Sequence, residues 1–186
     1  MLIAIIVIVV LVLLVAFVVV GFNKLRTSDV SAEEALGGID VQLTRRADLI
    51  PNVVETVKGY AAHEKGVFEA ITNARAHVQT AAAGDSVPEK AAADAELSGA
   101  LVRLNAVAEA YPDLKANTNF LDLQKQLGET ENQISFARQY YNDAVATLNK
   151  LVVTIPWMFF TGMAKVEKRE FYDAPEGQQH APSIEF

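Results

Sequence analysis

The sequence predicts an all-α protein in which an N-terminal transmembrane helix precedes an elongated antiparallel bundle of three to four long helices. Every residue from 2 to 20 is apolar, and the rest of the chain repeats apolar residues at helical spacing. Aromatic residues make up only 8% of the chain, and alanine-rich stretches favour helices over sheets. We expect residues 1–22 to form the anchor, residues 23–172 the bundle and residues 173–186 a disordered C-terminal tail.

The apolar segment at residues 2–20 has the length of a membrane-spanning helix, because each helical residue adds about 1.5 Å. A buried core helix is the alternative, but a helix that is apolar on every face is hard to bury in a small domain. A cleaved signal peptide would carry a basic residue before the apolar segment, and none precedes it. Lys24 and Arg26 follow it as membrane-interface residues. By the positive-inside rule they predict a single-pass protein of the bacterial inner membrane, with the N-terminus outside and the bundle in the cytoplasm.

The first helix of the bundle is predicted by an apolar repeat that alternates steps of four and three residues. The repeat positions are Ile39, Leu43, Arg46, Ile50, Val53, Val57, Tyr60, Glu64, Val67, Ile71, Ala74 and Val78. The phase is kept through Pro51, although proline normally breaks or kinks a helix. We therefore predict one long helix with a kink at Pro51. The alternative is a helix, a tight turn and a second helix.

A second helix is predicted after a break at residues 83–85. Ser86 and Glu89 have the spacing of a capping box, which marks a helix start. The apolar positions of this helix are Leu97, Leu101, Leu104 and Ala108. Pro112 is expected to end it.

The third helix carries the most regular repeat of the chain. Its positions are Phe120, Leu123, Leu127, Thr130, Ile134, Ala137, Tyr141, Ala144, Leu148 and Leu151. Asn117 or Asn119 can cap its start, since asparagine side chains accept hydrogen bonds from the first free amides of a helix. Pro156 is expected to end it, and a last short helix is predicted over residues 157–171.

Composition argues against several functions. The formal net charge is −7, and an acidic domain is not expected to bind nucleic acid. The chain has no cysteine, which excludes a thiol nucleophile and a thiolate zinc site. A di-iron bundle would need Glu-x-x-His pairs on two helices, and there is none. We expect no catalytic residue, no metal and no cofactor, and therefore a protein that is not an enzyme.

Several polar residues lie at or beside the apolar repeats. They are Arg46 and Glu64 in the first repeat, and Glu131, Arg138 and Tyr141 in the third. Charges inside a bundle need partners, and buried pairs are best attested as devices that fix register. We predict that these five residues take part in docking between helices or between subunits. The alternative is ordinary rim salt bridges, which contribute little.

Several segments of the chain together form a recognisable signature. They are Ile39-Asp40-Val41-Gln42-Leu43, Arg45-Arg46-Ala47-Asp48-Leu49-Ile50-Pro51-Asn52, Val57-Lys58-Gly59-Tyr60, His63-Glu64, Ala110-Tyr111-Pro112-Asp113-Leu114-Lys115-Ala116-Asn117, Phe120, Leu123, Glu131-Asn132 and Ala137-Arg138-Gln139-Tyr140-Tyr141-Asn142. These segments resemble the signature of the LemA family. The resemblance covers nearly the whole chain, although Trp157-Met158-Phe159-Phe160 and Glu33-Glu34 have no counterpart that we can assign to the family. It implies an N-terminal membrane anchor, a helical bundle and an extracellular N-terminus. It implies no reaction, since the family has no settled biochemical activity.

The function expected from the sequence is structural. Long, continuous repeats favour membrane-anchored helices that self-associate as homo-oligomers and organise or remodel the lipid bilayer. Some relatives in the family are similar to proteins needed to form magnetosome membranes, which agrees with this expectation by analogy. Family members are also often encoded beside membrane metalloproteases or other envelope proteins. The alternative is therefore an adaptor or regulator of a membrane protease or another envelope protein.

Overall fold

The structure is a computed structural model that describes residues 1–172. The predicted disordered tail, residues 173–186, lies outside the described residues. Within residues 1–172 there is no strand, and the all-α prediction is confirmed. The helices are α1 (Leu2–Lys58), α2 (Lys65–Ala82), α3 (Val87–Ala110), α4 (Pro112–Lys115), α5 (Thr118–Val153), a 3₁₀ turn (Trp157–Phe160) and α6 (Thr161–Ala164).

The chain divides into two compact units, and the long helices α1 and α5 contribute to both. The anchor unit contains Met1–Leu36 and Tyr140–Phe171. The bundle unit contains Gly37–Gln139 together with Tyr172.

In the anchor unit, the first part of α1 is the candidate membrane span. Its most apolar window has a mean hydropathy of 3.9, and none of that window is buried. Burial begins immediately after it: Leu25 and Ala32 of α1 are fully buried, as are Val145 and Leu148 of α5. The core of the anchor unit therefore begins where the apolar surface segment ends.

The predicted last helix over residues 157–171 is wrong beyond Ala164. Lys165 adopts a left-handed conformation with φ of 51°, and the chain after it is not helical. In this non-helical segment, side chains of α5 hydrogen-bond to backbone groups that would otherwise have partners within a helix. The Asn149 amide donates to the Arg169 carbonyl and accepts from the Arg169 N–H, both at 2.9 Å, and the Tyr141 hydroxyl donates to the Glu170 carbonyl at 2.8 Å. Because these partners satisfy the backbone, the segment needs no helix.

The bundle unit is built from four long helical segments, on α1, α2, α3 and α5, with the short α4 between the last two. Ala47 pairs with Arg75 and Lys58 with Phe68, so α2 runs antiparallel to α1. Contacts between α1 and α3 advance in the same direction along both helices, and those between α3 and α5 in opposite directions. Neighbouring helices in sequence are thus antiparallel, as in an up-down-up-down bundle.

The predicted single helix from Ile39 to Val78 is wrong in one respect. The helix continues through Pro51, so no tight turn forms there. However, α1 ends at Lys58, and the chain reverses over residues 59–64. Gly59 lies at the break and is a poor helix former. After the reversal, α2 packs back onto α1, and its apolar residues resume the same spacing. The repeat therefore keeps its phase although it is divided between two helices.

The predicted helix starts agree with the structure. The Ser86 hydroxyl accepts from the Glu89 N–H at 3.4 Å at the start of α3. At the start of α5 the capping residue is Asn117, not Asn119, because its side-chain oxygen accepts from the Phe120 N–H at 3.1 Å. These bonds satisfy amides that have no partner inside the helix.

A side chain from α2 compensates for the proline inside α1. Pro51 has no N–H, so the carbonyl of Ala47, four residues earlier, loses its helical donor. Ala47 is fully buried, and an unpaired carbonyl there would be costly. Arg75 of α2 donates its Nε–H to this carbonyl at 2.9 Å. The arginine therefore both replaces the missing bond and joins α2 to α1.

We predict that Arg75→Met lowers the free energy of unfolding by about 1–3 kcal/mol, because it leaves the buried Ala47 carbonyl without a donor. In the Pro51→Ala background the same change should cost less, since residue 51 then supplies a backbone N–H. A double-mutant cycle from urea denaturation, followed by circular dichroism, measures the coupling. Equal costs of Arg75→Met in both backgrounds would contradict this account.

Candidate functional site

A charge cluster around the buried Arg46 and Asp94 lies within the bundle unit. It consists of Arg46, Asp94, Glu131, Arg138 and Tyr172. One oxygen of the Asp94 carboxylate accepts from Arg46 of α1. The other accepts from Arg138 of α5 and, at 3.0 Å, from the Tyr172 hydroxyl. A single carboxylate on α3 thus joins α1, α5 and the segment that follows α6.

Arg46 is 1% exposed and uses its guanidinium to bridge two helices. Besides the Asp94 carboxylate, it donates to the Asp94 backbone carbonyl at 3.1 Å and to the Ser98 hydroxyl at 3.2 Å, both on α3. It also pairs with Glu131 of α5, whose side chain is 47% exposed. Burying an unpaired arginine would carry a large desolvation penalty. The two carboxylates of the cluster balance its two guanidinium groups.

Tyr172 enters the charge cluster as a hydrogen-bond donor. Burial raises the pKa of its hydroxyl far above the ordinary value, and the negative charge of Asp94 raises the pKa further. The phenol therefore stays protonated and donates a hydrogen bond to the carboxylate. The guanidinium of Arg138 lies 5.4 Å from the ring centroid of Tyr172, within the range of a cation–π contact.

A second buried pair lies one helical turn away on α3. Lys90 is fully buried, pairs with Asp40 of α1 and donates to the Ala82 carbonyl at 3.2 Å. Burial raises the pKa of Asp40, although the hydrogen bond and charge of Lys90 oppose this. Because the folded state then binds the proton more tightly than the unfolded state, Asp40's own contribution to stability decreases as pH rises from its unfolded pKa of 3.8 towards the raised value.

The arrangement of these charges suits mechanical docking better than catalysis. The carboxylate of Asp94 is engaged by Arg46, Arg138 and Tyr172 on both oxygens, which leaves it poorly placed to accept a proton from a substrate. Among residues 1–172 there is no group of three or more histidine or carboxylate side chains placed to hold a metal ion. The cluster instead fixes the axial register of α1, α3 and α5 relative to one another.

The structure brings together three of the residues that the sequence predicted for docking, Arg46, Glu131 and Arg138. Glu64 does not join them. It immediately precedes α2, is partly exposed and forms no ion pair with another described residue. Tyr141 lies in the anchor unit, where its hydroxyl holds the Glu170 carbonyl.

The remaining predicted residues occupy α1. Pro51 lies inside the helix. Lys24 and Arg26 follow the apolar segment and are both exposed. Arg26 pairs with Asp29 at 3.4 Å, one turn further on. Such an exposed pair contributes little to stability.

Sequence reasoning missed Lys90, Asp94 and Tyr172. The first two carried a readable signal, because the repeat of Leu97 and Leu101, extended backwards by steps of three and four, falls on positions 94 and 90. Charged residues at such positions need buried partners. Tyr172 follows a segment without periodicity, and no pattern in the sequence pointed to it.

The anchor unit holds a groove of about 640 Å³ at the end of the apolar segment. We call it the juxtamembrane groove. Its lining residues are Val20, Asn23, Lys24, Thr27, Ser28, Ser31, Tyr140, Asp143, Ala144, Thr147 and Leu151. Lys24 and Asp143 give it both signs of charge, and neither forms an ion pair with another described residue. Tyr140, 65% exposed, offers an aromatic ring at its edge.

We predict that Asp94→Asn lowers the free energy of unfolding by about 3–5 kcal/mol, because it leaves the buried Arg46 and the half-buried Arg138 with too little negative charge. The control is Asp122→Asn, an exposed carboxylate on α5, which should change the value by no more than about 0.5 kcal/mol. Urea denaturation of the full-length protein in mild detergent measures both. A loss at Asp94 as small as that of the control would show that the cluster does not hold the bundle together.

Comparison with known proteins finds similar magnetosome proteins and a matching family. The magnetosome proteins MamQ 2 and MamQ 1 of Paramagnetospirillum magneticum are each 25% identical over 189 residues, covering 88% of this chain and 69% of the relative. MamQ of Magnetospirillum gryphiswaldense is 25% identical over 182 residues, covering 84% and 66%. The sequence profile of the LemA family matches residues 35–186, well over half of the chain, and the protein therefore belongs to the LemA family.

Proposed function

We propose that this protein is a non-enzymatic, membrane-anchored scaffold that self-associates and organises or remodels the bilayer. The observation that carries the proposal is that the apolar segment and the helices beside it form one compact unit, without a linker. α1 runs from Leu2 to Lys58 as one helix, and its first part packs with the end of α5 in the anchor unit. A force that acts on the apolar segment in the membrane would therefore be transmitted directly to the packed parts of α1 and α5 in the anchor unit.

Close packing at the end of the apolar segment supports this mechanical continuity. The ring of Phe160 lies on Gly21, where any added Cβ would collide with it. The same ring meets Phe17 edge to face, with 5.3 Å between ring centroids. Gly21 is therefore needed for this contact, which ties the chain after α5 to the anchor helix.

We assign a second copy of this chain to the juxtamembrane groove. Because the groove begins at Val20, it lies at the same height above the bilayer in every copy. A two-fold pairing about the membrane normal would bring Lys24 of each copy towards Asp143 of the other, since such interfaces are self-complementary. Confinement to the bilayer raises the effective concentration, so a weak contact is enough.

The relatives support a role at a membrane, since MamQ is named a magnetosome protein. Lys24 and Arg26 favour a cytoplasmic location for the bundle by the positive-inside rule. In this arrangement the bundle would line the inner face of the cell membrane. The lipid bilayer and further copies of the chain would be its main partners, with no cofactor required.

The second candidate function is an adaptor for a membrane protease or another envelope protein. The groove favours it as well, because its lining continues from the apolar Val20 to the polar Ser28 and Ser31. A helix of a partner that leaves the bilayer changes from apolar to polar at the same level. The two functions differ in the state of the purified protein: a scaffold forms homo-oligomers, whereas an adaptor alone stays monomeric.

We predict that Asp143→Lys weakens self-association, because it places a second cation opposite Lys24 in the two-fold pairing. Mass photometry of the full-length protein, extracted in a membrane-solubilising polymer and diluted in steps, should show oligomers for the natural sequence. The variant should dissociate at higher protein concentration. The matched control is Asp122→Lys, the same charge change on α5 at a residue outside the groove.

Vesicles containing either protein at equal density, viewed by cryo-electron microscopy, test membrane organisation separately. The natural sequence should form ordered patches or change vesicle curvature, and Asp143→Lys should do so less. A monomer at every concentration would contradict the scaffold and favour the adaptor. Oligomers that Asp143→Lys leaves intact would instead move the interface away from the groove.

A further inference from the structure

The turn after α5 exposes an unusual number of large apolar side chains. We call residues 155–163 the apolar loop. Its exposed members are Ile155, Met158, Phe159 and Met163, of which Ile155 is 73% and Phe159 71% exposed. Scattered apolar side chains are normal on protein surfaces, but a contiguous group of them marks an interaction site.

The position of the apolar loop indicates what it contacts. Its buried residue, Phe160, packs on Phe17 and Gly21 of α1. Phe17 lies within the apolar segment, three residues and about 5 Å of helical rise before Val20. The loop therefore lies level with the end of the apolar segment, before the first charged residue, Lys24. Any bilayer that surrounds the apolar segment would meet the loop.

The direction of the chain fits a segment that lies along a membrane surface. The axis of Trp157–Ala164 is turned by 88° from that of α5. The loop is too short to cross a bilayer, but a short amphipathic segment can lie in the interface with its apolar side chains towards the acyl chains.

Two residues next to the exposed apolar side chains suit the headgroup region. Trp157 is partly exposed, and tryptophan is enriched at membrane interfaces because its ring has an apolar body and a polar N–H. Lys165 follows α6 and is exposed. Lysine at such a position can direct its ammonium towards lipid phosphates while its stem lies among apolar groups.

We propose that the apolar loop is a second membrane-contacting element, which enters the headgroup and upper acyl-chain region of the leaflet next to the anchor. The occupant of this surface is lipid, because the loop continues the apolar surface of the anchor at the same level. The proposal does not depend on self-association. It assigns Ile155, Met158 and Phe159 to the lipid contact and Trp157 to the interface.

The chain has a single tryptophan, so Trp157 reports on the loop without any label. The full-length protein is reconstituted into vesicles of phosphatidylcholine and phosphatidylglycerol, with part of the phosphatidylcholine brominated on its acyl chains. Bromine placed near the glycerol should quench Trp157 more strongly than bromine near the terminal methyl. Iodide in the aqueous phase should quench it weakly, and the emission should be blue-shifted relative to tryptophan in water.

The control moves the tryptophan within the anchor unit. In Trp157→Phe combined with Val30→Trp, the only tryptophan lies on an exposed position of α1, about 15 Å of helical rise beyond Val20. Iodide should quench this variant strongly and brominated lipid weakly. In Ile155→Asn combined with Phe159→Asn, quenching of Trp157 by brominated lipid should fall while the helical circular dichroism is kept.

Two results would overturn the proposal. Strong quenching of Trp157 by iodide, with no effect of brominated lipid, would show that the loop lies in water. A blue-shifted emission that neither quencher reaches would show that protein covers the loop, either a second copy or a different partner. Both results come from the natural sequence and do not require any variant to fold.

Discussion

The bundle unit depends on the carboxylate of Asp94, which is held out of water between two arginines. A buried carboxylate is tolerated only when its charge and its hydrogen-bond capacity are satisfied together. Here Arg46, Arg138 and Tyr172 supply both. Because a shift of one helical turn would separate these groups, the cluster permits one register among α1, α3 and α5. Charges used in this way inside the chain are not free to set the register between copies, so the proposed self-association would have to use other surfaces.

Most of the fold was readable from the sequence because its signals are local. The apolar segment, the caps at Ser86 and Asn117 and the repeat of α5 each depend on residues within a few turns of one another. The reversal at residues 59–64 was not readable in the same way. Two antiparallel helices that face each other can carry one uninterrupted repeat, so the phase alone does not show where the chain turns. At Pro51, by contrast, the repeat does continue within one helix.

The charge cluster was only half visible in the sequence. Arg46, Glu131 and Arg138 stood out because a charge interrupts an apolar repeat, which says that a partner is needed but not where it lies. Their partner Asp94 is fixed by how α3 packs across the bundle, a relation between residues about fifty positions apart. Tyr172 lies further still from any periodic pattern. Pairing of buried charges is a tertiary property. The sequence shows that a charge in an apolar repeat needs a partner, but it does not show which residue the partner is.

The anchor unit bears on how so small a protein could act on a membrane in the proposed way. A single spanning helix displaces lipid about equally in both leaflets, and by itself it does not favour curvature of the bilayer. An apolar loop at the level of Gly21 would add volume to only one leaflet. This volume would lie near the headgroups of that leaflet, where wedge-like insertion favours curvature. The packing of Phe160 on the anchor helix would keep this added volume beside every span. Lateral pairing through the juxtamembrane groove would then bring such wedges together, so a small asymmetry in each copy would add up over an assembly.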